Sequence, residues 1–194
     1  HCHHGEQGTG HVRRGQGRGH GEHRRHRWHG GNPKPTSRSL QAARTVVRSL
    51  TGRGADDEFD LVEFGGALLD LGDARVAEAA HTVAESDLAV VATPTYQGTC
   101  TGPLKLFLDR FGAGSLTDAT AVPLFLGGDW RHSLAPEVFL KPVLAELGAS
   151  VPTRGLFLLD SDPTGSALSN WPDIARQQIP ARLLSAASPT EAPA

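Results

Sequence analysis

Three short, uninterrupted apolar runs constrain the fold of this chain more than anything else in it: DLAVVATP (87–94), AVPLFLGG (121–128) and TRGLFLLD (153–160). A strand wetted on one face alternates apolar and polar residues. A run without alternation is covered on both faces, as in a parallel sheet between helical layers. The intervening segments have helical spacing. SRSLQAARTVVRSL (37–50) places Leu40, Ala43, Val47 and Leu50 at helical intervals and is stopped by Gly52 and Gly54. DARVAEAAHTVAES (73–86) is amphipathic, and GPLKLFLDRF (102–111) carries Pro103 in its first turn. LAPEVFLKPVLAELG (134–148) is helical with a kink expected at Pro142, and a last helix is expected within WPDIARQQIPARLLSAA (171–187). EFDLVEF (58–64) alternates apolar and acidic residues and predicts a strand near a sheet edge. Strand and helix signals in alternation predict an α/β fold.

The count of strands exposes a conflict. Four strands are legible after residue 57, yet the helix at 37–50 should itself follow a strand, which places a first strand at about 22–30. That position holds EHRRHRWHG. A central parallel strand of His and Arg would bury charge at high cost, so the expectation is a first strand that is abnormal or missing. Residues 1–30 differ from the rest in composition as well. They hold eight of the ten histidines and six arginines against Glu6 and Glu22, a net of +4, which leaves −6 on the other 164 residues of a chain whose overall charge is −2.

One account is a reading frame displaced upstream. His codons CAC and Arg codons CGN, read one base later, become ACC and GNC, so HRRHRW would read Thr-x-x-Thr-x-Gly with Val permitted at every x. The absence of methionine, at position 1 included, suits that account. Two rival readings treat the arm as native: HCHH and its neighbours as Zn²⁺ or Ni²⁺ ligands, or an Arg/His/Gly tail that binds nucleic acid or other anions. The histidines show no repeated interval, so no metal site is assigned, and a nucleic-acid partner is not expected.

No run of about 18 apolar residues occurs, so no membrane span is expected, and the N-terminus lacks the apolar stretch of a secretory signal. Cys2 and Cys100 are far apart and form no metal spacing. A reducing, cytoplasmic setting is the expectation.

In open parallel sheets ligands bind beyond the C-terminal strand ends, where strand order reverses. Three segments lie there. GNPKPTSRS (31–39) offers the hydroxyls of Thr36, Ser37 and Ser39, the guanidinium of Arg38, and the free N–H groups and positive dipole end of a helix, a donor set for a phosphate monoester. It matches neither GxGxxG nor GxxxxGK[ST]. In TPTYQGTCTGPLK (93–105), Pro94 sets a turn, Gly98 and Gly102 permit close backbone approach, and Tyr96 supplies a flat face, as a planar heterocycle requires. In LFLGGDWRHS (124–133), Gly127 and Gly128 let the backbone close over a ring, while Trp130 and Arg131 could face a second, anionic ligand. His132 reads as a surface residue. Each loop alone has a bland reading as an N-cap or a strand-to-helix turn. Together they point to flavin mononucleotide.

GNPKPTSRSL, VVATPTYQGTCTGPLKLFLDRF and VPLFLGGDWRHSLAPEVFLKPVLAELGA resemble the flavodoxin-like NAD(P)H-dependent FMN reductases, most closely the alkanesulfonate-system branch, over roughly residues 31–185. The resemblance implies a doubly wound five-stranded parallel sheet with helices on both faces. It implies that Ser37, Arg38 and Ser39 hold the FMN phosphate, that Pro94, Thr95, Tyr96, Gln97 and Gly98 line the isoalloxazine, and that Gly127 and Gly128 close its other side. It also implies a homodimer or homotetramer that passes a hydride from NADPH or NADH to flavin N5, and a two-component monooxygenase that takes the reduced flavin. No acid–base side chain is called for, and none is assigned as catalytic. The domain division is then an atypical arm at 1–30, an FMN-binding domain at 31–187 and a disordered tail at 188–194. A flavodoxin-like electron carrier, a quinone- or azo-type reductase, and a binding module without FMN remain alternatives.

Overall fold

The computed structural model describes the backbone of residues 26–30 and 166 and the complete residues 37–163 and 167–184. Most of the arm, the first six residues of the phosphate-loop segment (31–36) and the tail at 188–194 lie outside the described residues.

The strands are β1 (His26–Gly30), β2 (Asp57–Asp60), β3 (Leu88–Pro94), β4 (Thr120–Gly127) and β5 (Leu156–Leu159). All neighbours pair in parallel, in the order β2-β1-β3-β4-β5. That order reverses between β1 and β3, the switch point at which doubly wound sheets place their ligand. The expectation of a missing first strand is corrected here: backbone at His26–Gly30 fills the slot between β2 and β3, in register with Asp57–Asp60 on one side and Leu88–Ala92 on the other. The physical reason is that a ladder is made by backbone groups. A slot with unpaired N–H and C=O groups on both sides is satisfied by any backbone without proline.

Helices cover both faces. α1 (Arg38–Thr51) and α5 (Ser166–Gln178) lie on one, where Ala43, Val46 and Val47 pack with Val90, Leu124, Leu158 and Ala175. α2 (Ala74–Ala84), α3 (Gly102–Leu108) and α4 (Lys141–Glu146) lie on the other, with Val76, Leu104, Phe107, Phe125 and Leu144 in a second core. The alternation of Leu124 and Phe125, both fully buried on opposite faces, is what the unbroken apolar run of β4 foretold.

Boundaries differ from expectation where polar side chains intervene. The strand expected at 58–64 stops at Asp60, whose carboxylate caps a 3₁₀ segment, Leu61–Leu69, by accepting from the Val62 N–H at 3.3 Å. The kink expected at Pro142 takes the form of a π-helical turn, Pro136–Leu140, in which the Lys141 N–H reaches the Pro136 carbonyl; Pro142 then sits in the first turn of α4, where its missing N–H is harmless. α5 begins at Ser166 rather than 171 and ends at Gln178, before Pro180.

Candidate functional site

The C-terminal ends of β3 and β4, the start of α1 and the end of β2 converge at the switch point. At α1, Ser37 has extended backbone (φ −69°, ψ 136°) and its Oγ accepts from the Leu40 N–H at 3.1 Å. Ser37 adjoins the Asp60 carboxylate and helps hold its proton affinity down. Ser37 is 1% exposed and committed within the protein. Two backbone donors of the first turn, those of Arg38 and Ser39, stay outside this capping, since the Gln41 N–H reaches the Ser37 carbonyl. Ser39 is equally buried, yet its Oγ has no partner. Arg38 is exposed, and its Nη1 donates across the strand ends to the Asp160 carbonyl at 3.3 Å. A buried hydroxyl without a partner at a helix N-terminus, beside an arginine fork, is a donor set for a tetrahedral oxyanion.

The second loop is a tight turn. Tyr96 and Thr99 exchange backbone hydrogen bonds at 2.9 and 3.0 Å, with Gln97 (φ 49°) and Gly98 (φ 81°) between them. Both central residues are left-handed, the pattern of a type I′ turn. Gln97 is the one non-glycine residue among those described with positive φ, a strain that concentrates at functional sites. The loop is closed at its base by Thr93, whose buried Oγ1 accepts from the Thr101 N–H at 3.2 Å. It is tied to β4 by Thr95, whose N–H and Oγ1 both donate to the Leu126 carbonyl, at 2.6 and 2.8 Å. Pro94 ends β3 half-buried, and Tyr96 is 45% exposed at the tip.

In the third loop the two glycines do different things. A Cβ on Gly128 would meet nothing within 4 Å, so its surface is open. On Gly127 it would lie 2.7 Å from Phe157 Cζ and 3.0 Å from Thr95 Oγ1. Gly127 therefore seats Phe157 and Thr95 under the loop. Gly127→Ala is expected to cost about 1–3 kcal/mol, read as a lower thermal midpoint, whereas Gly128→Ala should leave the midpoint unchanged. Trp130 leans on Phe157 at 5.6 Å between ring centroids. Arg131 is held by Asp129 at 2.9 Å, and that guanidinium, with the Arg131 N–H, draws the Asp129 carboxyl down to about 2. His132 Cδ2 lies 4.0 Å from the position a Cβ would take on Gly98, so the second and third loops touch through His132.

The structure thus brings the Ser37–Ser39, Pro94–Gly98 and Gly127–Gly128 segments to one end of one sheet. Sequence reasoning missed Asp60, Thr93 and Thr101, and it read His132 as a mere surface residue. A threonine ending an apolar strand, and an Asp interrupting an alternating one, were the available signals. Among the described residues that are buried, Asp60 alone is ionisable, at 6% exposure. Burial pushes its carboxyl above the ordinary value, against the pull of its hydrogen bonds from Val62 and Ser37. Among the described residues no helix is long and apolar enough to cross a membrane.

Comparison with known proteins gives this geometry a family. The model of the NADPH-dependent FMN reductase family matches residues 30–164. An FMN reductase (NADPH) of Pseudomonas putida is 33% identical over 138 residues, 68% of this chain and 69% of that protein. The NADH-dependent FMN reductase SfnE of Pseudomonas putida is 28% identical over 160 residues, 78% of this chain and 85% of its own length. Among solved structures, an NADH:FMN oxidoreductase in its apo form superposes with a TM-score of 0.68 at 27% identity, covering 84% of this chain and 91% of that one. The chain therefore belongs to the NADPH-dependent FMN reductase family, flavodoxin-like oxidoreductases that use FMN and NAD(P)H.

Proposed function

We propose that the chain reduces FMN at the expense of NAD(P)H at the switch-point site, with the phosphate at the start of α1 and the isoalloxazine between the 94–98 turn and Gly128. FMN, when bound, would supply the redox chemistry as the acceptor of a hydride from the nicotinamide. The protein's part is to bind and orient. Ser39 and the N–H groups of Arg38 and Ser39 hold the phosphate, with Arg38 free to swing from Asp160. Ser37 shapes that turn from behind. The backbone of Pro94, Thr95, Tyr96, Gln97 and Gly98 lines the ring edge, fixed by the Thr93–Thr101 and Thr95–Leu126 hydrogen bonds. Gly128 leaves the opposite approach open, and Gly127 permits the packing beneath it. Among the described residues of the site, none is assigned a role in proton transfer.

The observation that carries this reading is the unpartnered, buried Ser39 hydroxyl at the same sheet end as a left-handed turn and an open glycine surface. Likeness to the alkanesulfonate-type branch extends the reading to supply of reduced flavin to a two-component monooxygenase in the cytoplasm. Leu134, Val138 and Phe139, close in sequence and 67, 56 and 44% exposed, are apolar surface that favours a homodimer or homotetramer.

The test is a titration with FMN followed by fluorescence quenching, with NADPH added at the end point. Quenching and then bleaching of the flavin band is expected. Quenching without bleaching by NADPH or NADH would assign an electron carrier instead. A folded α/β circular-dichroism spectrum with no quenching would sink the flavin reading.

A further inference from the structure

Beside β5, the edge strand of the sheet, lies a cavity of about 340 Å³ that the proposed flavin site does not use. Three elements wall it. The loop after β4 gives Trp130, the entry and body of β5 give Arg154 and Phe157, and α5 gives Asn170, Trp171 and Ile174. Its volume is that of a small-molecule site.

The backbone at the entry of β5 is already satisfied. Trp171 Nε1–H donates to the Arg154 carbonyl at 3.0 Å, and the Gly155 N–H donates to the Glu137 carboxylate at 2.7 Å. These bonds pin residues 154 and 155, so what the cavity offers a ligand is aromatic and aliphatic surface, a side-chain amide and a guanidinium. Trp130 leans on Phe157 and is still 51% exposed, and Ile174 is 50% exposed. Apolar surface of that kind inside a concavity is stabilised when a ring covers it. The charge there is positive. Asp129 beside Trp130, Glu137 beside Gly155 and Asp173 on α5 are paired with Arg131, Lys141 and Arg176 respectively, at 2.9, 3.3 and 2.9 Å. Arg131 is thereby committed, whereas no carboxylate among the described residues pairs with the Arg154 guanidinium.

We propose that this cavity is a second binding site, for a planar aromatic anion, with the ring against Trp130 and Ile174 and the anionic group on Arg154. A guanidinium beside an indole suits a carboxylate or sulfonate carried on a flat ring, because the fork takes two oxygens at once while the ring leaves water. The site does not depend on the placement of FMN.

Calorimetric titration with 2-naphthoate and with its neutral counterpart 2-naphthamide, each with and without FMN, tests it. Saturable binding of 2-naphthoate is expected, about tenfold tighter than 2-naphthamide and unaffected by FMN. Arg154→Gln should remove that preference, weakening 2-naphthoate about tenfold and leaving 2-naphthamide within about twofold. Trp171 bonds the backbone of residue 154, so the fold should tolerate the change. Trp130→Ala, at an exposed position, should weaken both ligands by about fivefold. No saturable binding, equal affinity for the two ligands, or a preference that survives Arg154→Gln would each overturn the inference. Displacement of 2-naphthoate by FMN would also overturn it, by putting the ring in the flavin site, and would leave the flavin reading standing. Binding of 2-naphthoate as expected by a protein that does not bind FMN would support the second site and sink the flavin reading alone.

Discussion

Ser39→Asp is expected to abolish the preference for FMN over riboflavin, weakening FMN binding by more than 100-fold. The position is 1% exposed and its hydroxyl has no partner. A carboxylate there is repelled by a phosphate held within roughly 5 Å of it. At an effective dielectric constant near 20, one pair of like unit charges at that distance repels by about 3 kcal/mol, and a dianion by more. One neutral hydrogen bond is worth about 1 kcal/mol, so Ser39→Ala should lose only about fivefold. The contrast between the two variants is the measurement, since both delete the hydroxyl and one alone adds charge. A carboxylate at a buried position also costs stability, only partly offset by the positive end of the helix, so the thermal midpoint should fall too and the contrast between FMN and riboflavin is the decisive readout. Comparable losses for FMN and riboflavin in Ser39→Asp would place the phosphate elsewhere.

The sheet was legible because its central strands carry a pattern that physics allows in few places. Residues 88–92 and 121–126 are apolar without alternation, and the structure buries them on both faces. The loops were legible as sites because glycine, proline and hydroxyl residues cluster where strand order reverses. The division of labour inside them was not. Gly127 and Gly128 are the same residue type in adjacent positions, and only the placement of Phe157, thirty residues on, makes one a packing requirement and the other an open surface. Ser37 and Ser39 read alike as phosphate donors, but the Ser37 hydroxyl caps the Leu40 N–H while the buried Ser39 hydroxyl has no partner. Such distinctions depend on how each residue packs in the fold, which no local pattern encodes. The end of β2 was misplaced for the same reason: 58–64 alternates as a strand should, but the Asp60 side chain captures the Val62 N–H and starts a 3₁₀ turn.

An apolar replacement of residues 26–29, for example by four valines, is expected to stabilise the protein by about 4 kcal/mol or more. β1 is hydrogen-bonded on both sides, to β2 and to β3, with helical layers over both faces. Its register partners on β3 show what each position adjoins. Position 28 lies beside Val90, which packs with the α1 core, and position 29 lies beside Val91, which packs with the core under α2 and α3. Parallel strands in that situation are runs of Val, Ile and Leu, and each fully buried valine contributes about 1.5 kcal/mol from the area it removes from water. Imperfect packing around the new side chains lowers the sum. For a chain of this length about 4 kcal/mol corresponds to roughly 10 °C in thermal midpoint, which calorimetry or circular dichroism would read directly. An unchanged or lower midpoint would mean that the stabilising partners of β1 are the residues the sequence already has. The coding-frame account is tested separately by the nucleotide sequence. Stop codons, or Asp and Gly, in the frame one base later across residues 23–27 would exclude it and leave the physical argument for an apolar β1 intact.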